Sequence, residues 1–138
     1  MPKEKSDSSS KRGTPAGIKE LLKKATTEML VLFLLRQKPM YTYEMMQKIE
    51  KLSNGILAFN TLYIAIYRLE KYGYLKESGK ILSEDNRIRI YFSITEEGRE
   101  YLKNIIAEYR LVTDAINNIL SQDGTLFQEG EPKHDNEG

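Results

Sequence analysis

The chain has 138 residues, of which 40% are hydrophobic and 30% are charged, as expected for one soluble globular domain. It contains no cysteine, which excludes a disulfide framework and a thiolate metal site and fits a reducing compartment. The longest apolar run, at residues 29–35, is far shorter than the roughly 20 residues that span a bilayer. No apolar signal segment opens the chain, so we expect a cytoplasmic protein with no membrane partner.

Charge is distributed unevenly along the chain, although the formal net charge is only +1. Residues 1–24 carry seven Lys or Arg against three Asp or Glu, whereas residues 121–138 carry one Lys against five acidic residues. Both ends have too few apolar side chains to offset the entropy that is lost on ordering. These patterns predict a mobile basic arm at residues 1–16 and a disordered acidic tail at residues 122–138.

Two helices are predicted before residue 56. From Ile18 onward the apolar residues have the spacing of an amphipathic helix, which Pro39 ends. Its segment 29–35 is apolar nearly all round, so two of its faces need partners. The second helix has Thr42 as its predicted N-cap and ends at residues 53–55. We expect this helix to bury Met45, Met46, Ile49 and Leu52.

A third helix precedes a change in the period of the apolar residues. It covers about residues 60–72, ends at Gly73 and buries Leu62, Ile66 and Leu69. After it, apolar and polar residues alternate as in a half-buried strand, with the apolar set Ile88, Ile90, Phe92 and Ile94. A partner strand at about residues 76–82 would pair with it across a turn at residues 83–86, which predicts a hairpin.

The last helix carries a heptad seam. Thr95 is its predicted N-cap, and Glu96 and Glu97 favour the positive end of the helix dipole. The seam residues are spaced 3-4-3-4-3 over about three heptads and are Leu102, Ile105, Tyr109, Val112, Ile116 and Ile119. Such a seam needs a second chain, and we expect a homodimer.

The order of these elements predicts a mostly α fold with a small β-hairpin, namely a winged helix-turn-helix followed by a dimerisation helix. The winged part covers residues 17–95 and the dimerisation helix covers residues 96–121. In such motifs the second helix, here residues 60–72, enters the major groove of double-stranded DNA. Its candidate contacts to phosphates or base edges are Asn60, Thr61, Tyr63, Tyr67 and Arg68.

Two further arginines, Arg87 and Arg89, lie on one face of the second strand, where a wing meets neighbouring phosphates. Each candidate also has a structural interpretation. Tyr63 and Tyr67 can pair on the helix surface, and the arginines can form a solvated face or pair with the acidic residues Glu84 and Asp85. The basic arm can be a plain soluble tail, and Met45 and Met46 are more typical of a core than of an effector pocket.

Three blocks between residues 26 and 120 resemble motifs of the PadR family of transcriptional regulators, in its short form with one C-terminal helix. Residues 41–45, YTYEM, resemble the family's YGYEI box, and NTLYI with the later RLE, within residues 60–70, resembles GTLYP and RLE. Residues 89–98, RIYFSITEEG, resemble RKYYxLTxxG. The order and spacing of the three blocks together are specific to that family.

This resemblance implies a repressor whose DNA contacts include Tyr41, Thr42, Tyr43, Tyr63 and the two wing arginines. It also implies that the first and last helices of two subunits interlock, which adds Met29 and Phe33 to the dimer interface with the seam residues. Thr42, Asn60 and Ile64 replace glycines and a proline of the family boxes, which leaves open whether Asn60 caps the third helix or begins it. The acidic wing tip predicts weak wing contact.

Related short regulators often have a tryptophan in the last helix, which stacks planar ligands at the dimer centre. This chain has no tryptophan and has Tyr109 at the matching place, so Tyr109 is both a seam residue and a candidate contact for a small aromatic effector. We expect a ligand-responsive repressor that binds a palindromic operator as a homodimer.

The alternative to this function is a winged-helix module that binds protein and reads no DNA sequence, which the near-neutral body of the chain leaves open. An enzyme is not expected, because the only histidine, His134, lies in the acidic tail and no cluster of a nucleophile and a base appears. No catalytic residue, metal site or cofactor is predicted.

Overall fold

The computed structural model describes residues 12–127 and confirms the predicted order of three helices, a hairpin and a long helix. Most of the predicted basic arm, residues 1–11, and the predicted acidic tail from residue 128 onward lie outside the described residues. The elements in chain order are α1 (Pro15–Gln37), β1 (Met40–Tyr41), α2 (Thr42–Leu52), α3 (Tyr63–Lys71), β2 (Leu75–Leu82), β3 (Ile88–Ile94) and α4 (Glu96–Leu120).

Helix α1 supplies much of the core. Most of its segment 29–35, which is apolar nearly all round, is buried within this chain through Val31, Leu32, Leu34 and Leu35. Phe33 differs from these neighbours, since 38% of it is exposed and the Arg36 guanidinium lies 5.4 Å from its ring centroid. The other elements complete the core with Met40, Met45, Ile49, Leu62, Ile66, Leu69, Leu75, Phe92, Ile94 and Leu102.

Helix α2 ends before residues 53–55 as predicted, but it differs from its prediction at its start and in the burial of Leu52. Thr42 is its first helical residue, and Tyr41 occupies the N-cap position without a side-chain cap, because the chain enters the helix directly from strand β1. The predicted burial of Leu52 is wrong: it is the last residue of the helix and 68% exposed. Gly55, with φ at 80°, then closes the helix end by donating its amide to the Glu50 carbonyl at 2.8 Å.

Helix α3 begins three residues later than predicted. Asn60 is neither its cap nor its first turn; instead the Thr61 hydroxyl accepts a 3.1 Å hydrogen bond from the Tyr63 amide. Its buried face carries Ala65, Ile66 and Leu69, as the apolar spacing predicted for the last two. Gly73 ends the helix at a positive φ of 82°, and the Tyr74 amide donates to the Leu69 carbonyl at 2.9 Å.

The hairpin is part of a three-stranded antiparallel sheet with the order β1-β3-β2. Strand β1 was not predicted, because two residues are too few to show a period; it pairs Met40 with Phe92 and Tyr41 with Tyr91. Strands β2 and β3 pair from Leu75↔Ile94 to the tip, with an irregularity at residues 77–79. The predicted turn forms, since the Asn86 amide donates to the Ser83 carbonyl at 3.0 Å.

Thr95 caps α4 as predicted and also fixes the start of this helix to the end of α3. Its hydroxyl accepts from the Gly98 amide at 3.0 Å and donates to the Gly73 carbonyl at 2.7 Å, while its own amide donates to the Tyr74 carbonyl at 3.1 Å. Gly98 lies against this junction, where a β-carbon would overlap the Tyr74 carbonyl oxygen and come within 2.8 Å of Ile94 Cγ1. The block that ends in Gly98 therefore encodes a close approach that only glycine allows.

The chain divides into two compact units, one up to Lys103 and one from Asn104. The second unit contains the rest of α4, and its apolar residues are largely unburied within the chain, including Tyr109, Val112, Ile116 and Ile119. Across residues 12–127, no helix combines the length and the apolar character that a membrane crossing requires.

Candidate nucleic-acid interface

A cleft of about 530 Å³ lies between helix α3 and the hairpin, and we call it the wing cleft. It is closed at one end by β1 and by the first residues of α2. Of the ten residues that were predicted to contact DNA, eight line this cleft: Tyr41, Thr42, Tyr43, Thr61, Tyr63, Tyr67, Arg87 and Arg89. The fold thus brings three separate stretches of sequence to one concave surface.

Tyrosines form much of the wall of the wing cleft. Tyr63 and Tyr67 are stacked along α3, with ring centroids 6.4 Å apart and an angle of 22° between the rings. The pairing on the helix surface is therefore present, but the two residues are still 69% and 52% exposed, so their hydroxyls remain open to a partner. On the opposite side Tyr41 packs edge-on against Tyr91 at 5.3 Å.

The two wing arginines are held close to the hairpin. Arg87 Nε lies 3.5 Å and Arg89 Nη2 lies 3.8 Å from the same Asp85 carboxylate oxygen. The Arg89 guanidinium also stacks on Tyr41, with 4.5 Å between its central carbon and the ring centroid. Pairing with an acidic residue of the turn, which the sequence left open, is thus present, and it neutralises part of the positive charge of the wing.

Asp85 is fixed in its ionised form by its surroundings. The Ser83 hydroxyl donates to its carboxylate and is the main reason why the pKa of Asp85 lies below its ordinary value. Desolvation is the next largest effect and raises this pKa, while the Asp85 amide and the charges of Arg89 and Arg87 lower it further. At neutral pH the turn therefore keeps a negative charge beside both arginines.

Two of the predicted contacts lie outside the lining of the wing cleft. Arg68 lines a different groove between α1 and α3, where its guanidinium is 3.7 Å from the Glu28 carboxylate. Asn60 is exposed in the segment before α3. A direct contact of either residue with a base edge stays a prediction. The ion pair with Glu28 holds the Arg68 side chain against α1.

Six residues of the cleft were not among the predicted contacts: Ile66, Glu70, Glu77, Ile88, Ile90 and Phe92. Along β3 burial falls steadily from Phe92, which is buried, through Ile90 to Ile88, which is exposed. The apolar alternation of this strand was the signal for the apolar lining, because it continues to Ile90 and Ile88, beyond the residues that the core buries. No sequence pattern indicated that Glu70 and Glu77 line the cleft, since their positions depend on how β2 lies beside α3.

The predicted dimer residues occupy two parts of the chain. Met29 is half-buried and Phe33 partly exposed on α1, while Leu102 is fully buried in the core and Ile105 is half-buried. The four later seam residues, from Tyr109 to Ile119, are exposed. Leu102 is thus used by the core of its own chain, and the surface available to a partner begins after it.

The chemistry of the described residues favours binding over catalysis. The wing cleft offers hydroxyl and guanidinium donors on an apolar floor, which suits phosphate and base contacts. Within residues 12–127 no three or more histidine and carboxylate side chains come together in a way that could hold a metal ion.

Comparison with known proteins gives the same picture. Residues 31–104 match the model of the transcriptional regulator PadR-like family. An uncharacterised protein of Lysinibacillus sphaericus is 31% identical over 110 residues, which cover 73% of this chain and 86% of the relative.

Solved structures of regulators share the fold. A transcriptional regulator from Clostridium thermocellum is 31% identical and superposes with a TM-score of 0.62, covering 70% of this chain and 95% of that one. A PadR family transcriptional regulator from Eggerthella lenta is 28% identical, with a TM-score of 0.64, 76% of this chain and 90% of that one. The chain belongs to the PadR-like family and is a DNA-binding transcriptional regulator, not an enzyme.

Proposed function

We propose that this PadR-like protein is a homodimeric repressor that binds a palindromic operator in the cytoplasm and is released by a small effector. The wing cleft is the observation that carries the DNA contact, because eight predicted contact residues from three stretches of sequence line it together. A concave surface with donors on both sides suits a phosphate backbone that passes between a helix in the major groove and a wing.

The hydrogen-bond donors of the cleft form two groups, neutral hydroxyls on one side and a charged guanidinium on the other. Tyr43 and Tyr63 project exposed phenol hydroxyls next to Thr42 and Thr61, at the end of the cleft where α2 and α3 begin. These neutral hydroxyls are suited to phosphate oxygens, as are the backbone amides at the start of the helices. Arg89 supplies charge from the opposite side, so that the strand of DNA would be held between the two.

Arg89→Ala is expected to weaken operator binding about tenfold at low salt and to reduce the slope of log affinity against log salt by about one. Removing the side chain deletes one phosphate contact and the stack on Tyr41. A gel-shift titration at several salt concentrations measures both effects. It uses the promoter of the protein's own gene, with a random duplex for comparison.

Arg99→Ala is the matched control, because Arg99 is an exposed arginine of α4 that does not line the wing cleft. It should leave affinity and salt slope unchanged. If the wild-type protein shows no preference for its promoter over random duplex, the operator is not read and the protein-binding module replaces this proposal. Loss of the dimer in Arg89→Ala would assign that arginine to the interface.

Asp85→Asn is expected to strengthen DNA binding about fivefold at low salt and to steepen its salt dependence. The substitution keeps an oxygen for the Ser83 hydroxyl but removes the charge that holds Arg87 and Arg89. Glu84→Gln is the control, since it changes the net charge equally in the same turn. Equal gains in both variants would mean that general repulsion, and not release of the arginines, limits binding.

Support for the dimer comes from the exposed seam of α4. Val112, Ile116 and Ile119 leave apolar surface uncovered along a heptad period, which a second α4 would cover. Two-fold symmetry of the protein would then be matched by a palindromic operator. Tyr109, at the centre of this seam, is the candidate contact for a small aromatic effector, and as a seam residue it also has a packing role.

A further inference from the structure

Two acidic residues give the wing cleft a chemistry that DNA does not explain. Glu70 of α3 and Glu77 of β2 both line it, and both are exposed. No ion pair to either carboxylate is present among residues 12–127. Arg87 and Arg89 line the same cleft but are paired with Asp85, so two carboxylates without an ion pair remain to repel a phosphate backbone. Their placement suits a different ligand.

The tyrosine rings of the cleft already hold cationic groups of the chain itself. The Lys71 ammonium lies 5.6 Å from the centroid of Tyr67, and the Arg89 guanidinium lies 4.5 Å from that of Tyr41. A positive charge over the face of an aromatic ring is attracted by the ring quadrupole, more so when water is excluded. Both rings are thus placed to bind a cation, and a cationic ligand over Tyr67 would have to replace Lys71.

The floor of the cleft is apolar and its size suits a small molecule. Ile66, Ile90 and Phe92 form the floor between the tyrosine walls, and the volume of about 530 Å³ lies within the usual range of roughly 300 to 1,000 Å³ for ligand sites. A flat ring system fits a cleft with aromatic walls and an aliphatic floor, because it can stack on both.

We propose that the wing cleft binds a planar aromatic cation, which stacks on Tyr67 and directs its positive charge toward Glu70 and Glu77. The side chain of Lys71 is exposed and can turn away when such a ligand takes its place over the ring. This site lies within the first unit of the chain and is distinct from the seam around Tyr109. If the cleft also contacts DNA, as the proposed function states, the ligand and the operator exclude one another.

Titration with the dye thioflavin T, a planar cation that becomes fluorescent when it is immobilised, tests this site on the full-length protein without DNA. We expect saturable binding by the wild type and binding at least about tenfold weaker for the uncharged parent benzothiazole of the dye, which cannot use the carboxylates. The double variant E70Q/E77Q should lose about tenfold in affinity for the dye and bind the uncharged parent unchanged. The control E50Q/E100Q makes the same change in net charge on exposed residues outside the cleft and should bind as the wild type does.

Two results would overturn the site. Equal binding of the charged and uncharged compounds would show that the carboxylates do not select a cation. Binding that is lost in Tyr109→Ala but kept in E70Q/E77Q would assign the dye to the seam of α4. A gel shift without dye is scored separately: operator binding without dye binding removes this inference alone, whereas dye binding without operator binding removes the proposed function alone.

Discussion

Ile116→Asp is expected to convert the proposed dimer to a monomer and to weaken operator binding by at least about a hundredfold. Ile116 lies in the seam and is 49% exposed in the single chain, so its apolar surface is available to a partner. An aspartate there would place an unpaired charge in the apolar seam of each subunit, which costs several kcal/mol. A monomer also loses the gain in affinity from two linked half-sites, which is about 100-fold or more.

Leu111→Asp is the matched control, since Leu111 is 66% exposed on the same helix but lies outside the heptad seam. It should remain dimeric and bind the operator normally. Analytical ultracentrifugation measures the mass, and gel shift measures the affinity. If both variants stay dimeric, the seam is not the interface, and if Ile116→Asp is monomeric but binds DNA as before, the operator is read by single subunits.

Gly98→Ala is expected to destabilise the fold by about 3 kcal/mol, the upper end of the usual cost of overpacking. The new methyl group would overlap the Tyr74 carbonyl oxygen, and backbone cannot move aside as the end of a flexible side chain can. The shift would separate Thr95 from its bonds to Gly73 and Tyr74, which join α4 to the end of α3. Urea unfolding, followed by circular dichroism, measures the loss.

Gly79→Ala provides the comparison for this substitution. Gly79 lies in β2, and a β-carbon there would meet no atom within 4 Å. Its stability should change by less than about 0.5 kcal/mol in the same urea experiment. If Gly98→Ala were as stable as Gly79→Ala, the helix start would be free to shift, and the glycine of this block would serve a purpose other than packing.

Local patterns predicted the elements because each pattern reports a local cause. The alternation at residues 88–94 reports the two faces of a strand, and the threonine before two glutamates reports the unpaired amides at a helix start; the cap bond from Gly98 to Thr95 forms accordingly. Where the prediction depended on a neighbour, it failed. Thr42 gave up the cap position to Tyr41 because β1 pairs with β3, a contact between residues about fifty positions apart.

The wing cleft was predictable in its members but not in its charges. The family-like blocks indicated most of the lining residues, yet the pairing of Arg89 with Asp85 and the approach of Glu70 and Glu77 depend on the folded hairpin. Arg68 illustrates the same limit, since its partner Glu28 lies on α1. The electrostatic effect of a charged side chain depends on which charges lie near it in the fold, and those neighbours can be distant in sequence.

The sequence by itself determined the order of the elements, their apolar faces and the heptad seam, because these follow from periods of two, three and a half or about four residues along one chain. Only the tertiary structure decided which parts of those apolar faces are buried within the chain itself. Leu102 is buried in the core of its own chain, whereas Ile116 of the same seam stays exposed. Phe92 is buried, whereas Ile88 of the same strand is exposed and lines the wing cleft. Burial depends on what packs across from a residue, and that contact is made only when the chain folds.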